Sequence, residues 1–206
     1  MDATTSAGVG RRAVLERRAR LLARATIAYN LAEAAVAIGA GLAAGSIALI
    51  SFGGDSLVEC LSAIVILWQF RGVAEDRERR ALRMIGLAFF ALAAYVTVES
   101  IRALATGAEA DPSPVGIALA ALSLVVMPLL SWLKRRTGRE LGSRAVVADS
   151  VQTLLCTYLS AALLGGLLLN ALWGWSWADP VAALVVAAVA AREGREAWRG
   201  ETCDCD

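Results

Sequence analysis

The sequence predicts an all-α, polytopic membrane protein built as a bundle of six transmembrane helices. Of its 206 residues, 58% are hydrophobic, and its mean hydropathy of +0.60 is too high for an ordinary soluble domain. Six apolar stretches are long enough, or nearly long enough, to cross a bilayer as helices. Lys and Arg collect in alternate connections between these stretches, which is the pattern of a chain that crosses a membrane repeatedly.

The predicted spans are separated by short polar or glycine-rich turns, and TGAEADPSP is the longest connection. They cover residues 22–45, 47–70, 84–105, 115–133, 145–169 and 178–192. The sixth is short, but the amphipathic segment REGREAWRG can extend it. We expect a disordered, basic cytoplasmic segment over residues 1–20 and a six-helix domain over 21–199. Residues 200–206 then form a short cytoplasmic tail with no C-terminal soluble domain.

Positive charge predicts the orientation of these spans. If they simply alternate, 19 of the 20 Lys and Arg residues fall on one side of the membrane and Arg102 alone falls on the other. Short loops rich in these residues stay in the cytoplasm, so both termini should be cytoplasmic. The N-terminus lacks the pattern of a removable signal peptide. A single Lys beside 19 Arg, with abundant Ala, suggests a bacterial chain and therefore a plasma-membrane location.

Acidic residues inside the apolar stretches are the main functional signal. An ionised side chain at the bilayer centre costs about 2.5–3.5 kcal/mol on insertion scales, so these groups should face one another or a wet cavity. In the sequence, Arg102 stands three residues from Glu99, but no base stands near the acids of the second and fifth spans. Unpaired carboxylates are either protonated or ready to bind a cation. The acids concerned are Glu33, Asp55, Glu59, Glu99 and Asp149, with Asp179 at a span boundary.

Two spans each place a pair of candidate ligands on one helical face. Asp55 and Glu59 stand at positions i and i+4 of the second span, and Asp149 and Thr153 repeat this spacing in the fifth. Two helices with such pairs can build a four-ligand site in the core of a bundle. Four other polar residues are candidates for an ion pathway or for contacts with the ligands: Asn30, Glu33, Gln152 and Asp179.

Several of these residues also have a structural interpretation. Thr153 can bond its own helix backbone. Glu99 is best interpreted as the partner of Arg102 near the outer interface. Asp179 precedes Pro180, a combination typical of a helix N-cap and first helical position.

The four cysteines do not form a disulfide framework. Cys60 and Cys156 lie within spans, where a small apolar thiol is ordinary. Cys203 and Cys205 lie in the predicted cytoplasmic tail, where thiols stay reduced.

Three segments resemble a known family. The family's second-helix signature is resembled by GSIALISFGGDSLVE, which ends at Glu59. Its fifth-helix signature is resembled by GSRAVVADSVQT, which ends at Thr153. The start of its sixth helix is resembled by WADPVAAL. The family is the cation diffusion facilitators, six-helix exporters that exchange a divalent cation for protons. The chain looks most like a short branch related to vesicular zinc transporters. The resemblance covers nearly the whole chain from about residue 20.

The resemblance implies a ligand set and a partner. Asp55 and Glu59 match the second-helix ligands, while Asp149 stands where the family usually has His and Thr153 where it usually has Asp. The family usually forms homodimers. The divalent metal is cargo, and no permanently bound cofactor is implied. Because the chain has no His, its oxygen ligands suit Mn²⁺ or Mg²⁺ and would also accept Fe²⁺, whereas the family resemblance favours Zn²⁺.

The sequence therefore predicts a membrane exporter of divalent cations, Zn²⁺ first and Fe²⁺ or Mn²⁺ next, that is driven by proton exchange. It shows no nucleophile–base pair and no nucleotide-binding loop, so we expect neither an enzyme nor a nucleic-acid partner. Two alternatives stay open. One is a proton-coupled exporter of small organic cations, although Asp55 has Gly, Ser and Leu neighbours rather than aromatic ones. The other is a membrane scaffold that retains the fold without transport.

Overall fold

In the part of the chain that the structure describes, the protein is a bundle of six α-helices, and its all-α class is confirmed. The computed structural model describes residues 3–69, 75–107 and 109–199, and in that part of the chain the secondary structure is helical with no strand. The predicted tail with Cys203 and Cys205 lies outside the described residues. The helices are α1 (Ala3–Ala44), α2 (Ile47–Gln69), α3 (Glu75–Thr106), α4 (Pro114–Leu141), α5 (Arg144–Trp173) and α6 (Ala178–Arg199).

Five of the helices in the described ranges, α1 to α5, are long and apolar enough to cross a membrane. The sixth, α6, begins as an apolar helix, but its last third has the sequence AREGREAWR and carries several charges. The chain is thus a multi-pass membrane protein, and a sixth crossing by α6 stays a prediction.

The turn between α4 and α5 follows from local sequence. Gly142 ends α4 with φ 68°, a left-handed conformation that glycine adopts without strain. Ser143 then accepts a hydrogen bond from the Val146 N–H and caps α5. The predicted basic loop over residues 134–144 is therefore almost entirely helical, and Lys134 lies inside α4.

The start of α1 differs from the sequence expectation, because the helix begins at Ala3 where a disordered segment was predicted. Ala, Leu and Arg favour helix. Glu16 also makes ion pairs with Arg12 and Arg20, one turn away on either side, at 3.5 and 3.7 Å. Ala19 is buried against α5. The basic N-terminal segment is therefore a continuation of the first span.

The helices pack most extensively as the pairs α1–α2, α3–α6 and α4–α5, and α2 also contacts α3, α5 and α6. Buried apolar residues from all six helices form the main core, including Ala37, Phe52 and Leu163. Because α2 touches four other helices, polar groups on its faces lie inside the bundle and away from lipid.

Candidate functional site

Asp55 and Glu59 lie deep within α2. At 1.5 Å per residue they stand about 12 and 18 Å from the start of the helix, well inside a hydrocarbon layer about 30 Å thick. Their side chains are buried, with 6% and 1% of their surface exposed. The i,i+4 spacing in the sequence thus corresponds to two acids inside the apolar bundle.

The candidate ligands of α5 face this pair. Thr153 Oγ1 donates a hydrogen bond of 2.6 Å to Glu59 Oε1 and lies 3.0 Å from the backbone carbonyl of Asp149. Asp149 and Thr153 are both buried. The structure therefore brings the four sequence-predicted ligands into one buried region between α2 and α5.

Cys156, one turn beyond Thr153, belongs to the same region. Its sulfur lies 3.0 Å from Glu59 Oε2 and 3.3 Å from Asp55 Oδ2, so its single S–H can donate to either carboxylate and the thiol contacts both acids of α2. The thiol is free and buried. The sequence places Cys156 beside the face that carries Asp149 and Thr153, since it stands three residues after Thr153, but sequence reasoning gave it no role beyond that of an ordinary apolar thiol.

The structure also places a base among the acids. Lys134 Nζ lies 2.8 Å from Asp149 Oδ2 and 3.7 Å from Glu59 Oε1, and it donates a hydrogen bond of 2.7 Å to Thr153 Oγ1. Only 1% of the Lys134 side chain is exposed. The expectation that no base pairs with these carboxylates is wrong, because the pairing joins residues that are distant in sequence. We call Asp55, Glu59, Lys134, Asp149, Thr153 and Cys156 the site cluster.

A signal for Lys134 was present in α4. The buried residues of this helix recur every three or four positions, and Lys134 continues that stripe after Ser123, Met127 and Ser131. One turn further on, Gly138 packs so closely on α5 that a Cβ there would lie 3.0 Å from the Val147 backbone nitrogen. This contact of the two backbones holds Lys134 within reach of Asp149.

Glu33 forms a second buried polar group next to the site cluster. Its carboxylate accepts hydrogen bonds from Ser56, at 2.8 Å, and from Ser123, whose hydroxyl also shares a 2.8 Å hydrogen bond with Tyr29. These contacts join α1, α2 and α4. Because Ser56 follows Asp55 in α2, the group is linked to the site cluster through one helix.

The other polar residues singled out in the sequence make no hydrogen bond or ion pair with the site cluster among the contacts described. Asn30 is fully buried, and among the described residues neither its amide nitrogen nor its amide oxygen has a hydrogen-bond partner. Gln152 is only partly buried on α5. Glu99 pairs with Arg102 at 3.9 Å, as the sequence predicted.

Asp179 contacts the start of α2. Its carboxylate accepts hydrogen bonds from the Ser46 hydroxyl and from the backbone N–H groups of Ile47 and Ala48, at 3.0 and 3.3 Å for the latter two. Asp179 itself lies within α6, after its first residue Ala178. It therefore caps a neighbouring helix, whereas the sequence suggested a cap for its own.

The site cluster combines three carboxylates, a hydroxyl and a thiol with one ammonium group. Carboxylate oxygens and thiolates are ligands for divalent transition metals. Among the described residues, no group of three or more His, Cys, Asp and Glu side chains is arranged to hold a metal ion as it stands. The ammonium of Lys134 lies on the oxygens of Glu59, Asp149 and Thr153 that such an ion would use.

Comparison with known proteins shows the family. The model of the cation efflux transmembrane domain matches residues 83–199, which is more than half of the chain. The chain therefore belongs to the cation efflux family, the cation diffusion facilitators, as the resemblance implied. This is a family of transporters, which agrees with the expectation that the chain is not an enzyme.

Curated relatives carry related names. The chain is 28% identical over 181 residues to the uncharacterized transporter sll1263 of Synechocystis, covering 82% of this chain and 58% of the relative. It is 28% identical over 179 residues to the cation-efflux pump FieF of Shewanella oneidensis, with coverages of 82% and 60%. To the cadmium, cobalt and zinc/H(+)-K(+) antiporter of Bacillus velezensis it is 27% identical over 169 residues, with coverages of 75% and 52%. The chain thus spans only a little over half the length of these relatives.

Proposed function

We propose that the chain carries divalent transition-metal cations across the membrane and binds them at the site cluster. The observation that carries this proposal is the convergence of two i,i+4 pairs, Asp55 with Glu59 and Asp149 with Thr153, in one buried region of an apolar bundle. The names of two relatives, a cation-efflux pump and a cadmium, cobalt and zinc antiporter, support it. Buried intramembrane acids generally mark an ion pathway.

Zn²⁺ is the preferred cargo in this proposal, and Fe²⁺ and Mn²⁺ come next. The chain lacks the imidazole ligands that favour zinc. However, the Cys156 thiol lies within 3.3 Å of both α2 acids and adds a soft sulfur donor to the oxygen ligands. Sulfur favours Zn²⁺ over Mn²⁺, because Mn²⁺ prefers oxygen ligands.

The proposed mechanism is alternating access with exchange of metal for protons. Metal enters from the cytoplasm and binds Asp55, Glu59 and Asp149. Thr153 completes the four oxygen ligands, and the Cys156 thiol is the sulfur donor beside them. Carboxylates must be deprotonated to bind a metal, so protons and metal compete for the same oxygens. Opening toward the outer side lets protons replace the metal, and the ion leaves. Glu33 and Asn30 lie beside this route as pathway residues.

Orientation and assembly belong to the same proposal. Both termini face the cytoplasm of a bacterial plasma membrane, because Lys and Arg are segregated to one side of the predicted spans. The chain works as a homodimer, as its family usually does. Helix faces rich in Gly and Ala give room for packing between two copies within the membrane.

Reconstitution into proteoliposomes tests this function. Purified protein is given Zn²⁺, Cd²⁺, Fe²⁺ or Mn²⁺ on one side, while metal uptake and internal pH are followed together. We expect saturable uptake coupled to proton movement in the opposite direction, and no uptake by Asp55→Asn. Glu99→Gln is the matched control, since it removes an acid of α3 that pairs with Arg102 outside the site cluster. Proton-coupled uptake of organic cations alone would favour a drug exporter, and no uptake of any substrate would favour a scaffold.

A further inference from the structure

The chain contains a single lysine, and it points into the proposed metal site. Lys134 contacts three of the four proposed ligands: Asp149 at 2.8 Å, Thr153 at 2.7 Å and Glu59 at 3.7 Å. A transition-metal ion binds carboxylate oxygens at about 2.0–2.2 Å. An ammonium and a metal ion therefore cannot both use these oxygens from the same side.

The position of Lys134 in α4 offers the ammonium a second location. The helix ends at Leu141, so Lys134 stands about 10 Å before its end. A lysine near a helix end in a membrane normally extends its ammonium toward water. Here the side chain turns into the bundle instead, with 1% of its surface exposed. Rotation of the side chain toward the end of α4 would free the ligand oxygens without moving a helix.

We propose that Lys134 is a built-in competitor of the transported cation. Its ammonium holds Asp149, Thr153 and Glu59 while the site is empty, and it moves toward the end of α4 when a divalent ion binds. Its return helps to expel the ion on the release side. Lys134 thereby sets the affinity of the site for metal at a level that permits release. This inference rests on the proposed function, because it requires a divalent ion as the competing cation.

Metal binding to purified full-length variants tests the competition. Lys134→Met keeps most of the side-chain length and removes the charge. In lipid nanodiscs we expect isothermal calorimetry to show at least tenfold tighter Zn²⁺ binding than in the wild type. We also expect Zn²⁺ to raise the unfolding temperature of Lys134→Met more than that of the wild type.

Two control variants separate competition from a general effect of charge. Arg136→Met removes one positive charge from the exposed side of the same helix, where Arg136 pairs with Glu140 at 3.2 Å, and should leave Zn²⁺ affinity within twofold of wild type. Lys134→Arg keeps the charge and should bind Zn²⁺ no more tightly than wild type. Wild-type or weaker Zn²⁺ affinity in folded Lys134→Met would overturn the proposal.

The unique lysine also permits a test on unmodified protein, which removes any dependence on the folding of a variant. Labelling of lysine with ¹³C and ¹⁵N gives one set of side-chain NMR signals, from Lys134. We expect Zn²⁺ to shift these signals to saturation at the concentration at which calorimetry shows binding. Lysine signals that stay unchanged through Zn²⁺ saturation would overturn the proposal.

The outcomes distinguish this inference from the function on which it rests. If the wild type binds Zn²⁺ and Lys134→Met binds it with equal affinity, the competition fails and the metal site stands. If neither protein binds Zn²⁺, Cd²⁺, Fe²⁺ or Mn²⁺, the competition and the proposed function fail together.

Discussion

Under the proposed function, single side chains of the site cluster must meet two demands that ordinarily conflict, namely stability inside a membrane and access for an ion. Asp149 is buried and bonded to Lys134 through one oxygen, while its Oδ1 has no hydrogen-bond partner among the described residues. Removal of one partner of a buried ion pair commonly destabilises a protein by about 3–5 kcal/mol. The Oδ1 atom of Asp149 is therefore the oxygen of this ion pair that could take part in the metal binding we propose without first losing a hydrogen bond.

Neutral replacements of the α2 acids should abolish transport while the fold persists. Asp55→Asn and Glu59→Gln keep the shape of each side chain and remove one charge, and neutral amides are less costly to bury than ions. We expect metal uptake into inverted vesicles to fall to background in both, and Thr153→Ala to reduce it less. Wild-type rates for every metal tested would show that these acids have another role.

Cys156 should influence which metal is carried. Cys156→Ser replaces sulfur by oxygen at the atom that contacts Asp55 and Glu59, so affinity for Zn²⁺ should fall on the order of tenfold while that for Mn²⁺ changes little. Competition binding in nanodiscs measures the ratio. Cys60→Ser is the matched control, because Cys60 is also buried but donates to the Ile27 carbonyl at 3.7 Å. Asp149→His should shift preference in the opposite direction, toward Zn²⁺.

At the scale of the helices, the position of α2 depends on contacts from other helices as well as on its own sequence. Asp179 of α6 caps its first turn, and Gly53 of α2 lies so close to α1 that a Cβ there would meet the Ala34 carbonyl at 3.2 Å. These contacts determine the depth and rotation of α2, which in turn place Asp55 and Glu59 opposite α5.

Removal of the Asp179 cap should therefore lower the stability of the bundle while changing Zn²⁺ affinity little. We expect Asp179→Ala to destabilise the protein by about 1–2 kcal/mol, as the loss of a helix cap does. Denaturant unfolding in mild detergent measures this loss, with Zn²⁺ affinity recorded alongside. Asp111→Ala, an exposed acid in the α3–α4 connection, is the control and should change stability little. A large loss of Zn²⁺ affinity with unchanged stability would instead assign Asp179 to the ion pathway.

The contact between α3 and α6 depends on two glycines. A Cβ at Gly86 would lie 2.9 Å from the Gly194 carbonyl oxygen, and one at Gly194 would lie 3.1 Å from the Gly86 oxygen. Gly86→Ala should force the helices apart and destabilise the protein by about 1–3 kcal/mol. A Cβ added at Gly39 would lie in open space, so Gly39→Ala should leave the stability of the protein unchanged or raise it by up to ~1 kcal/mol. Thermal unfolding measures both variants. Equal unfolding temperatures for Gly86→Ala and Gly39→Ala would contradict this expectation.

At the scale of the whole molecule, the proposed direction of export depends on the predicted orientation in the membrane. Impermeant thiol reagents applied to intact cells can test it, in a background whose native cysteines are replaced. We expect a cysteine at Glu109, exposed between α3 and α4, to react from outside. A cysteine at Arg136, exposed near the end of α4, should react only after the cells are opened. The reverse pattern would invert the predicted topology and with it the proposed direction of export.

The sequence alone determined the six helical stretches, though not the early start of α1, and the two pairs of candidate ligands. Both follow from local rules, since apolar length predicts a membrane helix and the i,i+4 spacing puts two side chains on one face whatever lies opposite. The turn at Gly142 and Ser143 is local in the same sense. The prediction that Lys134 lies in a loop is wrong. Counting basic residues between apolar stretches does not show where a helix ends, and α4 continues to Leu141.

Only the tertiary structure decided which groups from different helices meet. Lys134 and Asp149 are separated by 15 positions and by the turn that connects α4 to α5. Their 2.8 Å contact depends on how these two helices are rotated about their axes. The partnership of Cys156 with the α2 acids and the cap that Asp179 gives α2 span about 100 residues or more. Such contacts arise from the packing of six helices at once, since the rotation and depth of each helix depend on all its neighbours and not on its own periodicity.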